Sequence, residues 1–144
     1  MAKVLIIYHS LSGNTEKMAK SVQEGAVAAK AKVTLKKAHE TVAEDVLNCD
    51  VVIMGTANYF GYEAGMMKDF FDRTFYALKG KVDNKPYATF GSHGNGGTKA
   101  IESLNKLCDN LGLKKVLDSV DALREPSSEV LDKCKALGAK MAIV

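Results

Sequence analysis

The sequence has no tryptophan, two prolines and only three cysteines in 144 residues. Cys49, Cys108 and Cys134 are odd in number and form no CxxC pair, which excludes a disulfide framework and a zinc knuckle. We interpret them as buried, unreactive thiols in a protein of the reducing cytoplasm. The three histidines share no ligand spacing, so no metal site is predicted.

Long apolar runs are also missing. No run approaches the ~20 residues of a membrane span, so no contact with a membrane is predicted. The apolar run at residues 4–8 is too short for a signal peptide and has no cleavage site after it. The formal net charge is only +3, and Arg73 and Arg124 are the only arginines, so a nucleic-acid-binding face is not expected.

The chain does contain a regular alternation of short apolar runs with amphipathic stretches. The predicted strands are residues 4–8, 31–38, 50–54, 87–90 and 114–122. The predicted helices are residues 14–30, about 42–47, 65–78, 98–111 and one that begins at 126–129. Gly112 is the expected end of the fourth helix, and Ser127 or Ser128 is the expected cap of the fifth.

This alternation predicts one α/β domain over residues 1–144, a doubly wound three-layer α/β/α sandwich with a parallel sheet. Such sheets bind their ligands outside the carboxyl ends of the strands. The residues that matter are therefore in three segments that follow strands: residues 9–15, 55–65 and 91–97.

The first of these segments, residues 9–15, is rich in hydrogen-bond donors. Its polar and turn-forming members are Ser10, Ser12, Gly13, Asn14 and Thr15. The glycine lets successive N–H groups point at one spot, and the following helix adds its own free N–H groups. A simple helix cap needs one hydroxyl, so three hydroxyls favour a phosphate cradle without charged donors. Neither GxxxxGK[ST] nor GxGxxG is present.

The other two segments have unusual compositions. Residues 55–65 include Tyr59, Phe60 and Tyr62, which either fold back onto the core or stack on a flat ligand; the position at the ligand edge favours stacking. Residues 91–97 contain four glycines, which form a flexible turn or allow close approach of the backbone to a ligand.

These three segments resemble the FMN-binding loops of the flavodoxin family. Residues 10–15 match [ST]-x-[ST]-G-x-T in the place where that family has its phosphate loop. Residues 55–61 resemble the second loop, in which an aromatic packs on the isoalloxazine ring. Residues 90–97 resemble the third loop, most closely that of the FMN domains of flavodiiron proteins. The resemblance implies five parallel strands in the order 2-1-3-4-5.

The resemblance also implies a site. Ser10, Ser12, Asn14 and Thr15 would bind the FMN phosphate, and the other two loops would bracket the ring. The full set of implied cofactor-binding residues is Ser10, Leu11, Ser12, Gly13, Asn14, Thr15, Thr56, Ala57, Asn58, Tyr59, Phe60, Gly61, Ser92, His93, Gly94, Asn95 and Gly96. The third loop lacks the tyrosine common in flavodoxins, and His93 is its only flat side chain.

The implied function is that of a monomeric FMN electron carrier that passes electrons between redox partner proteins. Because the flavin performs the chemistry, no catalytic side chain is required. The alternative is an NAD(P)H:quinone reductase of the flavodoxin-like superfamily, a class of usually longer enzymes with similar loops. A third possibility is a binding module that keeps the fold without a flavin, against which the intact first loop argues.

Overall fold

The computed structural model describes residues 1–144. Its strands are β1 (Lys3–Tyr8), β2 (Lys32–Lys37), β3 (Val51–Ala57), β4 (Pro86–His93), β5 (Lys114–Lys115) and β6 (Val120–Leu123). Its helices are α1 (Asn14–Ala28), α2 (Ala43–Leu47), α3 (Gly65–Leu78), α4 (Lys99–Leu111) and α5 (Ser128–Met141), with a 3-10 turn at Ala38–Glu40. No helix is both long enough and apolar enough to cross a bilayer.

The strands form one parallel sheet in the order β2-β1-β3-β4, after which both β5 and β6 pair with β4. Successive residues of β1 point to opposite faces: Leu5 and Ile7 join one core cluster, whereas Val4 and Ile6 join the other. Both faces are thus covered, which explains why the central strands are apolar throughout. The predicted doubly wound α/β/α class and the order 2-1-3-4-5 are confirmed.

The fifth strand differs from its prediction. Residues 114–122 were expected as one strand, but they form two short strands separated by residues 116–119. Within this break the Ser119 hydroxyl is 2.6 Å from Thr89 Oγ1, and the Val116 N–H donates to the Tyr87 carbonyl at 3.1 Å. The break therefore keeps its polar groups paired while it leaves the regular ladder.

Two strands extend further than predicted. Gly55 and Gly91 were expected to end their strands, yet β3 continues to Ala57 and β4 continues to His93. A Cβ at Gly55 would lie 2.1 Å from the Phe90 ring, and a Cβ at Gly91 would lie 2.8 Å from the Thr56 carbonyl oxygen. These glycines serve close packing within the sheet and do not form turns.

Helix packing fixes the direction of α1, which begins at the candidate site. Where α1 crosses α5, a Cβ at Gly25 would lie 1.9 Å from the Lys135 carbonyl oxygen, so the two backbones are in contact. The predicted helix ends are confirmed: Gly112 follows α4, and the Ser127 hydroxyl caps α5 by accepting from the Val130 N–H at 3.2 Å.

Candidate cofactor site at the carboxyl edge of the sheet

The loop between β1 and α1 turns at Gly13, whose φ of 96° is left-handed. The Gly13 N–H donates to Ser10 Oγ at 3.0 Å, which fixes this turn. A Cβ at Gly13 would meet nothing within 4 Å, so glycine is needed there for its backbone angle and not for space.

Most donors of this loop have no acceptor within the protein. Ser12 is exposed and Asn14 is half-buried, and neither side chain forms a hydrogen bond. The N–H groups of Asn14, Thr15 and Glu16 open α1 and are likewise unpaired. The loop and the first turn of α1 thus present neutral donors at the positive end of a helix dipole, an arrangement that suits an anion.

Thr15 is the exception in this loop. It is buried, and its hydroxyl lies 2.9 Å from the Ser92 hydroxyl at the end of β4. This hydrogen bond ties the first loop to the third. Thr15 therefore has a structural partner already, which sequence analysis did not predict.

The loop after β3 is a tight hairpin. Tyr59 and Tyr62 exchange two backbone hydrogen bonds of 3.2 Å, while Phe60 and Gly61 have φ values of 61° and 84°. Two positive φ angles in a two-residue turn are those of a type I′ turn. Gly61 is the second of the two central residues of this turn, and glycine adopts a positive φ without a steric penalty.

The hairpin separates its aromatic side chains. Tyr59 is half-buried, packs against the core and meets the His9 ring edge to face, with 6.1 Å between ring centroids. Burial raises the pKa of Tyr59, and the backbone amide of Leu11 offsets part of that rise. Phe60 is fully exposed and Tyr62 is 66% exposed. Of the two roles left open for these aromatics, core packing thus applies to Tyr59 only.

The third loop is braced by His93. The Gly97 N–H donates to His93 Nδ1 at 3.2 Å, so Nε2 carries the proton and donates to Asp121 Oδ2 at 3.0 Å. Both ring nitrogens are therefore engaged inside the protein. Gly94, Asn95 and Gly96 lie exposed at the tip of the same loop.

A cavity of about 190 Å³ lies where the three loops meet. It is lined by Ser12, Asn14, Ala57, Asn58, Tyr59, Ser92, His93, Gly94 and Arg124. All but Arg124 belong to the predicted set, so the structure brings the core of that set together. Thr56 is buried below: its hydroxyl accepts from the Ala64 N–H and donates to the Ala57 carbonyl, both at 2.8 Å.

Arg124 was missed by sequence analysis. It follows β6, and its N–H donates to the His93 carbonyl at 2.7 Å. The rule that selected the other loops, the carboxyl end of each parallel strand, also applies to the fifth strand. Applied there, it would have included residues 123–125.

No carboxylate lines this cavity. Asp69 and Asp72, the acidic residues of α3, form ion pairs of 2.7 Å with Arg73 and Lys68. Glu63, just beyond the hairpin, is hydrogen-bonded to Ser103. This cavity is thus lined by neutral donors and by Arg124, which forms no ion pair.

The three thiols are buried, as predicted. Burial raises the pKa of Cys49 to about 11 and that of Cys134 to about 12, and it also raises the pKa of Cys108. None lines the cavity between the loops. Thiolate chemistry at that site is therefore not supplied by this chain.

A doubly wound sheet that ends in a cradle of neutral donors for an anion, beside an aromatic hairpin, has the features of a nucleotide-binding protein. The flavodoxin family model matches residues 6–140, and the chain belongs to the flavodoxin family. It is accordingly an electron carrier whose cofactor is FMN.

Individual relatives agree with this assignment. The chain is 34% identical to a flavodoxin from Aquifex aeolicus (strain VF5), over 99% of this chain and 86% of that one. Flavodoxin 2 from Bacillus cereus superposes with a TM-score of 0.86 at 26% identity, over 98% of each chain. A rubredoxin:oxygen oxidoreductase from Desulfovibrio gigas shares the fold at 19% identity, with a TM-score of 0.86 over 97% of this chain and 35% of that one.

Proposed function

We propose that this FMN carrier holds the phosphate of its cofactor at residues 10–15 and the flavin ring between residues 56–61 and 92–96. The observation that carries the proposal is the set of unpaired donors at the start of α1, which faces the cavity where all three loops meet. Among the buried side-chain N and O atoms of the protein, only Asp121 Oδ1 is without a hydrogen-bond partner.

The residues present fit FMN. The Ser12 hydroxyl, the Asn14 amide and three N–H groups offer several neutral donors to one phosphate, and the helix dipole adds favourable field. Gly13 permits the inward turn through its positive φ of 96°. A carboxylate would repel the phosphate, and none lines the cavity.

The flavin ring, when bound, supplies the storage of electrons. The chain supplies the slot, whose lining includes Asn58, Tyr59, Ser92, His93 and Gly94. Phe60 stands at the hairpin tip with its side chain in solvent. We propose that it contacts either the exposed edge of the ring or the incoming partner.

We further propose that residues 1–144 act as one monomeric domain in the cytoplasm, with an electron-donor protein and an electron-acceptor protein as partners. Neither nucleic acid nor membrane belongs to this function. The protein has a net charge of only +3, and the loops around its cavity are neutral. It therefore has no strongly acidic surface by which to attract basic partners.

One alternative is favoured by a specific observation. The chain is 35% identical to an NAD(P)H dehydrogenase (quinone) from Brucella anthropi over 65% of this chain, and it spans 60% of that relative. An NAD(P)H:quinone reductase would use the same FMN loops, so the loops cannot distinguish it from a carrier. Reduction by a nicotinamide cofactor can.

The test uses the purified protein, its visible spectrum and one added reductant. We expect a yellow protein that takes up one FMN and loses its colour with dithionite but not with NADPH or NADH alone. Rapid bleaching by NADPH, with turnover when a quinone is added, would support the reductase instead. A colourless protein that rejects FMN would contradict both functions.

A further inference from the structure

Asn58 forms hydrogen bonds with both the second and the third loop of the site. Its Oδ1 accepts from the Gly61 N–H at 2.8 Å, and its Nδ2 donates to the Gly97 carbonyl at 3.4 Å. Its own N–H donates to the Ser92 carbonyl at 2.9 Å. One short side chain thus joins the hairpin tip to the third loop across the cavity that it lines.

Gly97 is held through its N–H as well as through its carbonyl. The Gly97 N–H donates to His93 Nδ1, and His93 Nε2 donates to Asp121. These contacts form a continuous hydrogen-bond relay from Asp121 through His93, Gly97 and Asn58 to Gly61. It runs from β6 at the sheet edge to the turn that carries Phe60.

Two features show that the residues of this hydrogen-bond relay are held in a defined arrangement. A Cβ at Gly96 would lie 2.6 Å from Asn58 Nδ2 and 3.0 Å from its Cγ, so the loop is closely fitted to the Asn58 side chain. Asp121 Oδ1 is buried without a hydrogen-bond partner, an unfavourable state for a carboxylate oxygen. The protein tolerates it while the other carboxylate oxygen holds His93.

We propose that Asn58 and His93 are positioning residues that set the width of the slot for the flavin ring, by fixing the Phe60-Gly61 tip against the Gly96-Gly97 segment. The inference rests on the proposed placement of the ring between these loops. It assigns no contact with the phosphate, which lies with the unpaired donors of residues 10–15. Its effects should therefore be the same with and without the phosphate.

The first test compares FMN with riboflavin. Asn58→Ala removes two hydrogen bonds to the loops, and we expect it to weaken both flavins by the same factor, about twofold to tenfold. The midpoint potential and the visible circular dichroism of bound FMN should change with it. Asn48→Ala, at an exposed position after α2, is the matched control and should change none of these.

The second test leaves Asn58 in place. Gly96→Ala should displace the Asn58 side chain and reproduce the spectroscopic and potential changes of Asn58→Ala. Gly65→Ala is its control, because a Cβ there would meet nothing within 4 Å. Gly96→Ala with an unchanged potential would overturn the proposal even if Asn58→Ala proved poorly folded.

The third test asks whether the two side chains act through one chain. The effects of Asn58→Ala and His93→Leu on riboflavin affinity should combine to less than their sum, because both act through Gly97. His93→Gln, which keeps an acceptor and a donor, should lie nearer to the wild type than His93→Leu. Fully additive effects, or equal effects of Gln and Leu, would contradict the relay.

The outcomes separate the relay from the proposed function. Wild-type protein that binds FMN, with Asn58→Ala and Gly96→Ala that match it in affinity and potential, would overturn the relay and leave the function standing. Variants that lower only the stability of the flavin-free protein would overturn it as well. Wild-type protein that binds neither FMN nor riboflavin would overturn both.

Discussion

The two halves of the site treat their polar groups in opposite ways. At residues 10–16 the side chains of Ser12 and Asn14 and three N–H groups are unpaired. At residues 58–62 and 92–97 the Asn58 and His93 side chains are bonded to the opposite loop or to the sheet. The donors of the first half are free to bind an anion, whereas the side chains of the second half are already hydrogen-bonded within the protein. Phosphate affinity and the environment of the ring should therefore be controlled by different residues.

Breaking the first half should give the largest effect. Ser12→Ala removes a hydroxyl that we expect to bind the FMN phosphate, and a lost hydrogen bond to a charged group costs about 1.5–3 kcal/mol. FMN affinity should therefore fall about tenfold to hundredfold. Calorimetric titration with FMN and then riboflavin is the measurement. Riboflavin affinity should not change, and an equal loss for both ligands would show that Ser12 does not contact the phosphate.

Thr15→Val sharpens the same comparison, because this residue belongs to both halves. The substitution removes a possible phosphate donor and leaves the buried Ser92 hydroxyl without its partner at 2.9 Å. We expect weaker FMN binding together with a loss of about 1–3 kcal/mol in the free energy of unfolding of the flavin-free protein. Ser12 is exposed, so Ser12→Ala should leave that free energy unchanged.

The packing of the two strands that carry the second half of the site can be tested at Gly55. A Cβ there would lie 2.1 Å from the buried Phe90 ring, so Gly55→Ala forces the ring to move. Such overpacking typically costs about 1–3 kcal/mol. Urea unfolding should show this loss for Gly55→Ala and none for Gly65→Ala, where the space is open. Equal stabilities would mean that the Phe90 ring can move aside without cost.

Gly55 also shows where prediction from sequence succeeds and fails. The apolar runs determine which segments become central strands, and the unpaired donors follow directly from the composition of residues 10–15. A glycine, however, looks the same whether it allows a turn or makes room for a ring from the neighbouring strand. Gly55 and Gly91 were therefore placed in loops, although both lie within strands, where Phe90 of β4 packs against Gly55 and Ile101 of α4 packs against Gly91.

The second half of the site was predictable in membership but not in arrangement. Asn58 and His93 were identified from their loops, yet their partners lie 39 and 28 positions away at Gly97 and Asp121. The first contact depends on the register of β3 against β4 and the second on that of β4 against β6, and a single sequence reveals neither register. The break in the fifth strand is hidden for the same reason, because Ser119 leaves the ladder to meet Thr89.

A smaller effect should come from a charge beside the hairpin. The Lys99 side chain lies over the hairpin, 3.8 Å from the position that a Cβ on Gly61 would occupy, and it forms no ion pair. Its charge should favour the reduced, negatively charged cofactor. Lys99→Gln should therefore disfavour the last one-electron reduction of the cofactor by about 1 kcal/mol, which lowers its midpoint potential by about 40 mV.

Potentiometric titration measures that shift, and Lys140→Gln is the control of equal charge in the last turn of α5. The difference between the two variants should shrink in high salt, because the cation is exposed. If both variants shift the potential equally, the effect belongs to the net charge of the protein and not to the position of Lys99.

The smallest expected effect concerns His9, which lies behind the first half against Tyr59. Burial lowers the pKa of His9, and the charge of His39 lowers it further. The unfolded chain then binds more protons than the folded one below about pH 6.5, so the free energy of unfolding should fall as the pH drops through that value towards the lowered pKa.

His9→Gln should remove this pH-dependent component of the free energy of unfolding. His39→Gln should reduce it only in part, because burial is the larger cause. Urea unfolding between about pH 5 and pH 8, together with an NMR titration of the His9 ring, measures both quantities. A His9 ring that titrates at or above its ordinary value would show that the pocket behind the phosphate loop is open to water, and the two variants would then share the pH dependence of the wild type.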